Sequence, residues 1–353
     1  MSRRRRTTAD TTSHTTPQHT THTMPLINTD SQHDPNKILP IDYDWAREYY
    51  RDGVNNNWVP EEIPMADDVH QWEGDELTDA ERRLVEWNLG FFSTAESLTA
   101  NNLVLAVYDY VTAPECRQYL LRQAYEEAVH TDTFIYCCDS LGFDPEYLYG
   151  MYDRIPAIEA KDDFVVELTR AIDRPDFTIE TDDDVREFLR DLVGFYVIME
   201  GIFFYAGFAM MLALKRRGKM VGVGEQFEYI MRDESLHLNF GVELINTIRE
   251  ENPGVWTDEF EAEIDGLIRE AVELESTYAA EACPPDLMGM SAEGFIEYVE
   301  YIADRRLTQL GMEEAYGTEN PFPWMSEAVD LNREANFFER QVTEYQSGGS
   351  LDW

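Results

Sequence analysis

Apolar residues recur every three or four positions along most of the chain after residue 38, which is the spacing of one face of an α-helix. The sequence contains no run of alternating apolar and polar residues long enough for a sheet. The pattern therefore predicts an all-α protein whose long helices form a bundle. The expected helices cover residues 78 to about 110, 114–142, about 183–217, 225–251, 257–282 and 292–311.

Two of these helices carry specific end signals. Thr78 and Glu81 have the spacing of a capping box, in which each side chain accepts a hydrogen bond from the backbone of the other residue. Pro114 suits the first turn of the next helix, while Gly142 followed by Pro145 suits its end. We therefore expect one helix to begin near residue 78 and the next to span residues 114–142.

One predicted helix contains a long apolar segment from Leu192 to Leu214, with Glu200 as its only charged residue. Its length would allow it to span a bilayer. A carboxylate near the centre of a membrane helix costs about 2.5–3.5 kcal/mol, and the chain has no second such segment. A helix that is apolar on all sides also fits the centre of a large bundle. We favour that interpretation, with no membrane contact, and Glu200 then needs a partner in the core.

The charge of the chain limits its partners. The 353 residues carry a formal net charge of −42. Such a chain has no basic surface to neutralise phosphates, which argues against nucleic acid and anionic membranes as partners. So large a negative charge is typical of proteins from halophiles, in which salt screens the repulsion between surface charges. An ordinary acidic protein is the alternative. The cysteines, which include the neighbours Cys137 and Cys138, form no Cys-x-x-Cys pair, so we expect a reducing cytoplasm.

Residues 1–37 are predicted to form a disordered N-terminal arm. The segment begins with four arginines but has no apolar stretch after them, so it is not a signal peptide. Its Thr-, His- and Gln-rich composition cannot form a core. A metal site made of His14, His19 and His22 is the weaker alternative to a solvated tail.

Two Glu-x-x-His motifs lie on the predicted helices, one in YEEAVH (Glu127 and His130) and one in RDESLH (Glu234 and His237). Positions i and i+3 share a helix face, so each motif directs one oxygen and one nitrogen ligand to the same point. Apolar residues continue both faces, which predicts that both motifs point into the core. A buried carboxylate is costly unless it is paired or binds a metal.

Two further helices each carry one glutamate in an apolar stripe, Glu96 and Glu200. One glutamate from each of two helices, with Glu-x-x-His from each of two others, is the ligand set of two-metal sites in ferritin-like bundles. Carboxylates and imidazoles suit iron or manganese. Salt bridges between helices or neutral core histidines are the alternatives, but neither supplies cations for the carboxylates, since no Lys or Arg lies on these stripes. The sequence therefore predicts a ferritin-like four-helix bundle core with additional long helices and two metal ions.

The segments MEGIFFYAGFAMMLALKRRGKM and RDESLH resemble the small, radical-generating subunit of class I ribonucleotide reductase, and the likeness covers Ile41 to Trp353. It implies an oxidoreductase subunit whose metals generate an oxidising equivalent for a large subunit that reduces ribonucleotides. By the resemblance, one metal is held by Glu96, Glu127 and His130 and the other by Glu200, Glu234 and His237, with Glu127 and Glu234 bridging. The choice of Glu96 over nearby Glu86 as a ligand rests partly on the resemblance. The expectation of a homodimer rests on the resemblance entirely.

The resemblance also assigns residues outside the ligand set. Trp58 would lie on the electron-transfer path, and Asp233 would link it to His130. In the flexible tail at residues 336–353, Tyr345 would relay the radical, and Leu351 and Trp353 would dock on the large subunit. The domain that carries the metals would then be residues 38–335.

Phe134 departs from the commoner members of the family, which have the radical-storing tyrosine at this position. Phe134 and Glu96 resemble the tyrosine-less subclass that stores its oxidising equivalent on a manganese–iron pair. We therefore favour Mn/Fe, with O₂ oxidising Mn(II)/Fe(II) to Mn(IV)/Fe(III), and Fe/Fe is the alternative. A related ligand-binding oxidase or a ferritin-like metal store are alternative functions, but neither needs Trp58, Asp233 and the docking tail together. A helical interaction scaffold would leave the buried ligands unexplained.

Overall fold

The computed structural model describes residues 25–27, 38–99, 104–172, 174–283 and 291–325. In these ranges the regular structure is helical, and the one pairing of extended backbone is an isolated bridge between Ile27 and Val111. The predicted all-α class is therefore confirmed. The helices are α1 (Asp44–Asn55), α2 (Ala66–Glu73), α3 (Asp79–Leu98), α4 (Val104–Tyr110), α5 (Pro114–Leu141), α6 (Pro145–Leu148), α7 (Pro156–Leu168), α8 (Asp182–Leu192), α9 (Tyr205–Lys215), α10 (Val221–Glu251), α11 (Asp258–Ala282) and α12 (Ala292–Gln309), with a π-helical segment (Val193–Phe203) and a 3₁₀ turn (Pro60–Glu62).

The predicted helix ends are confirmed where end signals were present. Thr78 Oγ1 accepts the N–H of Glu81 at 3.2 Å, and Glu81 Oε2 accepts the N–H of Thr78 at 2.9 Å. Helix α5 begins at Pro114 and ends before Gly142, which adopts φ 71°. Glycine reaches this left-handed conformation without the steric cost that a Cβ imposes, so it suits the end of a helix.

Four helical units form the central bundle: α3, α5, the π-helical segment continued by α9, and α10. Each contributes one aromatic ring to a shared cluster, since the Phe92 ring lies 6.0 Å from Phe134, 5.2 Å from Phe208 and 4.9 Å from Phe227. These four side chains are fully or almost fully buried. Helices α11 and α12 pack on the outside of the π-helical segment and α9, while α1 covers α5.

The long apolar segment is a core helix. By length and composition the stretch Asp182–Lys215 resembles a membrane span, but its most apolar part is completely buried inside the protein. Its backbone differs from the single α-helix that we expected, because Val193–Phe203 winds as a π-helix between α8 and α9. Stretches of π-helix are rare and occur frequently at functional sites. Here the segment carries Glu200.

Other boundaries also differ from the sequence prediction. The helix expected over residues 78–110 ends at Leu98, and α4 begins at Val104, with residues 100–103 outside the described ranges. Within the arm expected at residues 1–37, Leu26 and Ile27 are buried. Leu26 is also fixed by hydrogen bonds, since its N–H donates to Glu251 at 3.0 Å and its carbonyl accepts from Thr112 at 2.9 Å. The disordered arm expected over residues 1–37 stays a prediction, and residues 25–27 are the part of it that the structure describes.

Candidate metal centre

Six side chains from the four bundle units meet in the core, and all six are completely buried. Helix α3 contributes one glutamate, the π-helical segment another, and α5 and α10 each contribute a Glu-x-x-His pair. The i, i+3 spacing places the members of each pair on the same helix face. The six residues are Glu96, Glu127, His130, Glu200, Glu234 and His237, the set expected from the sequence.

The first group of ligands surrounds His130. Its Nδ1 atom lies 3.1 Å from Glu234 Oε1, 3.3 Å from Glu96 Oε2 and 3.6 Å from Glu127 Oε2. One ligand atom from each of these four residues can be chosen such that all lie within 4.8 Å of one another. This spacing suits coordination of one ion.

The second group surrounds His237. Its Nδ1 atom lies 3.0 Å from Glu127 Oε1, 3.4 Å from Glu234 Oε1 and 3.9 Å from Glu200 Oε1. Glu127 and Glu234 therefore belong to both groups, as carboxylates that bridge two adjacent ions would. Glu86, the alternative to Glu96 considered from the sequence, instead accepts a hydrogen bond from Tyr147 at 3.3 Å on the outside of the bundle.

The hydrogen bonding of these atoms tests whether they fit metal ions. Although the atoms are close together, most of them make no hydrogen bond with any described residue. Buried carboxylates without partners are costly, whereas two divalent cations would balance the four negative charges and occupy the open coordination directions. The donor set therefore fits a pair of ions. The unpartnered atoms are Oε1 of Glu96, both Oε atoms of Glu127 and of Glu234, Oε2 of Glu200 and Nδ1 of His237.

The electrostatics of the centre point the same way. Burial raises the pKa of Glu96 and of Glu200 well above the usual range, and the charge of Glu234 raises both further. Burial also acts to raise the pKa of Glu127, but the two imidazoles outweigh this effect and hold that pKa below its usual range. The cluster thus lacks positive charge, which cations of the expected kind would supply.

A carboxylate contacts the outer nitrogen of His130. Its Nε2 atom lies 3.4 Å from Asp233 Oδ2, and Arg232 donates to Asp233 Oδ1 through two nitrogens at 3.2 Å each. Burial acts to raise the pKa of Asp233, but the hydrogen bond from His130 and the charge of Arg232 outweigh it and lower that pKa. The lowered pKa keeps Asp233 ionised, and a carboxylate beside the outer nitrogen helps to orient the ring.

Trp58 joins the same carboxylate. It follows the end of α1 and lies beside the 3₁₀ turn Pro60–Glu62, with only 4% of its surface exposed. Its Nε1 donates to Asp233 Oδ2 at 2.7 Å, and its ring centre is 6.4 Å from that of His130. The Tyr229 ring packs edge-on against the indole at 5.2 Å. The structure thus brings together Trp58, Asp233 and His130, the three residues that the resemblance linked.

Phe134 lies one helical turn after His130 in α5 and is completely buried. Its ring packs against two other phenyl rings, whose centres lie 6.0 Å (Phe92) and 5.8 Å (Phe227) from its own. A phenyl ring at this place has no hydroxyl that could lose a proton together with an electron. Tyr345, Leu351 and Trp353, which were also predicted to function, lie outside the described residues.

Two polar neighbours of the ligands were missed by the sequence analysis. Gln123 Nε2 donates to Glu200 Oε1 at 3.2 Å, and the Gln123 carbonyl accepts the Tyr196 hydroxyl at 3.0 Å. Glu126 Oε2 lies 2.9 Å from His237 Nε2. A sequence signal for Glu126 did exist, because both Glu-x-x-His motifs are preceded by an acidic residue.

Comparisons with known proteins agree with this arrangement. The family model "Ribonucleotide reductase, small chain" matches residues 35–321. The ribonucleoside-diphosphate reductase subunit beta of Chlamydia pneumoniae is 54% identical over 328 residues, which are 93% of this chain and 94% of that protein. The small subunit from Dictyostelium discoideum is 32% identical over 316 residues, which are 88% of this chain and 86% of that protein.

Solved structures show the same fold. The R2 subunit of ribonucleotide reductase from Clostridium botulinum superposes with a TM-score of 0.77 at 28% identity, covering 87% of this chain and 94% of that one. A structure described as a putative class I ribonucleotide reductase from Bacillus halodurans gives a TM-score of 0.74 at 25% identity, covering 81% and 99%. This agreement favours the reductase over the oxidase and the metal store. The chain therefore belongs to the small-subunit family of class I ribonucleotide reductases and is the small subunit of a ribonucleoside-diphosphate reductase, an oxidoreductase.

Proposed function

We propose that this subunit holds a manganese–iron pair and that an electron reaches the centre from the large subunit through Tyr345, Trp58, Asp233 and His130. The observation that carries the proposal is the contact between Trp58 and Asp233 at 2.7 Å, on the outer side of a predicted metal ligand. Metal ions held by the six candidate ligands would supply the redox chemistry, namely reaction with O₂ and storage of an oxidising equivalent.

The protein residues would control protons along this path. Loss of an electron makes the indole N–H of Trp58 more acidic, and Asp233 Oδ2 is placed to accept that proton. Arg232 contacts the other oxygen of the carboxylate, so Asp233 stays ionised and ready to accept it. Burial of Trp58 and Asp233 excludes water from the path.

The choice of manganese–iron rests on Phe134. The centre must keep its oxidising equivalent without a tyrosine at the usual position, because a phenyl ring caged by Phe92 and Phe227 occupies that position. Ligand type alone does not separate manganese from iron, so an iron pair is the alternative. Metal analysis and electron paramagnetic resonance after aerobic loading with Mn, Fe or both test the choice. A fully active form with two irons and no manganese contradicts it.

The tail carries the proposed interaction with the large subunit. The apolar terminal residues Leu351 and Trp353 would anchor the tail, and Tyr345 would relay the radical. Deleting residues 351–353 should abolish ribonucleotide reduction while leaving the bound metal unchanged. Asp352→Asn is the matched control, which leaves both anchors in place. Unchanged reduction by the deleted form would contradict the proposed anchoring role of Leu351 and Trp353.

We also propose that the subunit forms a homodimer and works in the cytoplasm. Cys116, Cys137 and Cys138 are buried and form no disulfide with any described residue, as suits a reducing compartment. Light scattering on the purified subunit should give twice the 41.0 kDa mass of the chain. A monomer at micromolar concentration contradicts the dimer.

A further inference from the structure

Glu126 is a buried carboxylate that the expected ligand set does not include. Its side chain is almost wholly inaccessible, with only 1% of the residue exposed. Oε2 lies 2.9 Å from Nε2 of His237, and Oε1 accepts a hydrogen bond from Arg122 Nε at 3.0 Å. The carboxylate therefore bridges an arginine and the imidazole whose other nitrogen faces the centre.

This arrangement mirrors the one around His130. There, the outer nitrogen faces Asp233, and Asp233 is paired with Arg232. In both cases the carboxylate directly precedes a bridging glutamate and contacts the histidine of the opposite helix. Glu126 on α5 serves His237 on α10, and Asp233 on α10 serves His130 on α5.

The two arginines end on the same loop. Arg122 Nη1 donates to Asn57 Oδ1 at 3.1 Å, and Arg232 Nη2 donates to the carbonyl of Asn56. Helix α1 comes close to the pair at Gly53, where an added Cβ would lie 2.8 Å from Glu126 Oε1. Any larger residue at this position would displace the carboxylate. The packing of α1 is thus adapted to the Arg122–Glu126 pair.

Asp233 and Glu126 differ in the hydrogen bonds made by the oxygen that faces the histidine. Oδ2 of Asp233 is shared between His130 at 3.4 Å and Trp58 at 2.7 Å. Oε2 of Glu126 has only His237, at 2.9 Å, among its hydrogen bonds in the described structure. A charge-assisted hydrogen bond of this length is strong, whereas one of 3.4 Å is weak. His237 is therefore the more firmly oriented and more electron-donating imidazole.

We propose that Glu126 is a positioning residue that makes the two metal positions unequal. It holds Nδ1 of His237 toward the centre and increases the donor strength of that nitrogen. The position formed by Glu200 and His237 consequently binds its ion more tightly than it would without this charge. The inference rests on the proposed metal centre and assigns a role to a residue outside the ligand set.

Glu126→Gln tests the inference, because the amide keeps the size of the side chain and an acceptor oxygen but removes the charge. The affinity of the Glu200–His237 position for Mn(II) should fall by about 10–100-fold, while that of the Glu96–His130 position changes little. Binding is measured by Mn(II) titration, and anomalous diffraction at the manganese edge shows which position fills first. Asp132→Asn, an exposed substitution in the same helix with the same change of charge, is the control.

The outcomes separate this inference from the proposed function. Wild-type protein that binds no Mn(II) overturns the metal centre itself. Wild-type protein that binds two ions, together with Glu126→Gln protein that loses affinity at both positions equally or at neither, overturns only the role of Glu126. If the Glu126→Gln protein does not fold, Glu126→Asp keeps the charge but is one methylene shorter. It should show the same selective loss, and an equal loss at both positions, or no loss at either, contradicts the inference.

Discussion

Trp58 and Asp233, which are 175 positions apart in the chain, form a buried hydrogen bond of 2.7 Å. The same oxygen of Asp233 also faces the outer nitrogen of His130. A buried indole outside the ligand set is thereby connected to the proposed metal centre through one carboxylate. This connection is the physical basis of the proposed electron path.

Replacing Asp233 by Asn should interrupt the path while leaving the ligands in place. The amide cannot take the indole proton, so ribonucleotide reduction at equal metal content should fall by about 10²–10⁴-fold. Activity is measured with the large subunit under saturating metal. Asp139→Asn, an exposed substitution on α5, should leave the rate unchanged. A normal rate for the Asp233→Asn protein would contradict the path.

Phe134→Leu tests whether the residue at the usual tyrosine position takes part in redox chemistry. Leucine also lacks a hydroxyl, so activity per bound metal should stay within about threefold of wild type, which is about 0.7 kcal/mol in the activation barrier. The measurement is the turnover rate divided by the metal content. Loss of activity with an intact metal centre would show that Phe134 has a direct role.

Lys161→Met should strongly destabilise the fold. Lys161 and Glu275 form a completely buried ion pair of 2.5 Å, and Lys161 Nζ also donates to the Phe203 carbonyl at 3.0 Å. Removing the lysine leaves Glu275 buried without a counter-charge, which costs about 3–5 kcal/mol of the free energy of unfolding. Urea unfolding measures the loss, and the exposed substitution Arg170→Met is the control.

The double variant Lys161→Met/Glu275→Leu checks the cause of that loss. It removes both charges, so most of the lost stability should return, since apolar replacements of buried ion pairs are often neutral. A double variant as unstable as the single one would show that the loss arises from packing and not from the unpaired charge.

Asp191 should make stability depend on pH. Burial raises the pKa of its carboxyl to about 7, although the Ile172 N–H donates to it at 2.7 Å and acts in the opposite direction. At a pH between the pKa of Asp191 in the unfolded state, near 4, and its pKa in the folded state, about 7, the folded state binds more protons than the unfolded state. The stability that Asp191 contributes is therefore lost as the pH rises through this range. The slope is about 1.4 kcal/mol per pH unit.

Asp191→Asn removes this titration, so the difference in unfolding free energy between wild type and variant should fall steadily from about pH 4 to about pH 7. Urea titrations at several pH values measure it. The titration of other buried acids contributes equally to the unfolding free energy of both proteins, so it cancels in the difference. A difference that is constant over this range would contradict the raised pKa.

The sequence predicted the parts of this molecule that depend on local spacing. The i, i+3 spacing of Glu127 and His130, and of Glu234 and His237, is enough to direct ligands to one point. The helix ends at Thr78 and Gly142 have side-chain and backbone causes that lie within a few residues. Trp58 needed the family resemblance, because an indole in a loop carries no local signal of its partner.

Other features depend on contacts between distant segments. The π-helical segment leaves no trace in a stretch where nearly every residue is apolar, because there is no polar face to reveal the period. The pair of Lys161 and Glu275 joins α7 to α11, and no local pattern specifies it. The backbone of Leu26 is held by Glu251 and Thr112, which lie far away in the chain, so composition gives no sign of these contacts.

The most direct test of the metal centre is anomalous diffraction at the manganese and iron edges from crystals of the aerobically loaded subunit. The account predicts two adjacent ions, one bound by Glu96 and His130 and one by Glu200 and His237, with Glu127 and Glu234 contacting both. Crystals in which these six side chains pair with one another and hold no ion would contradict it.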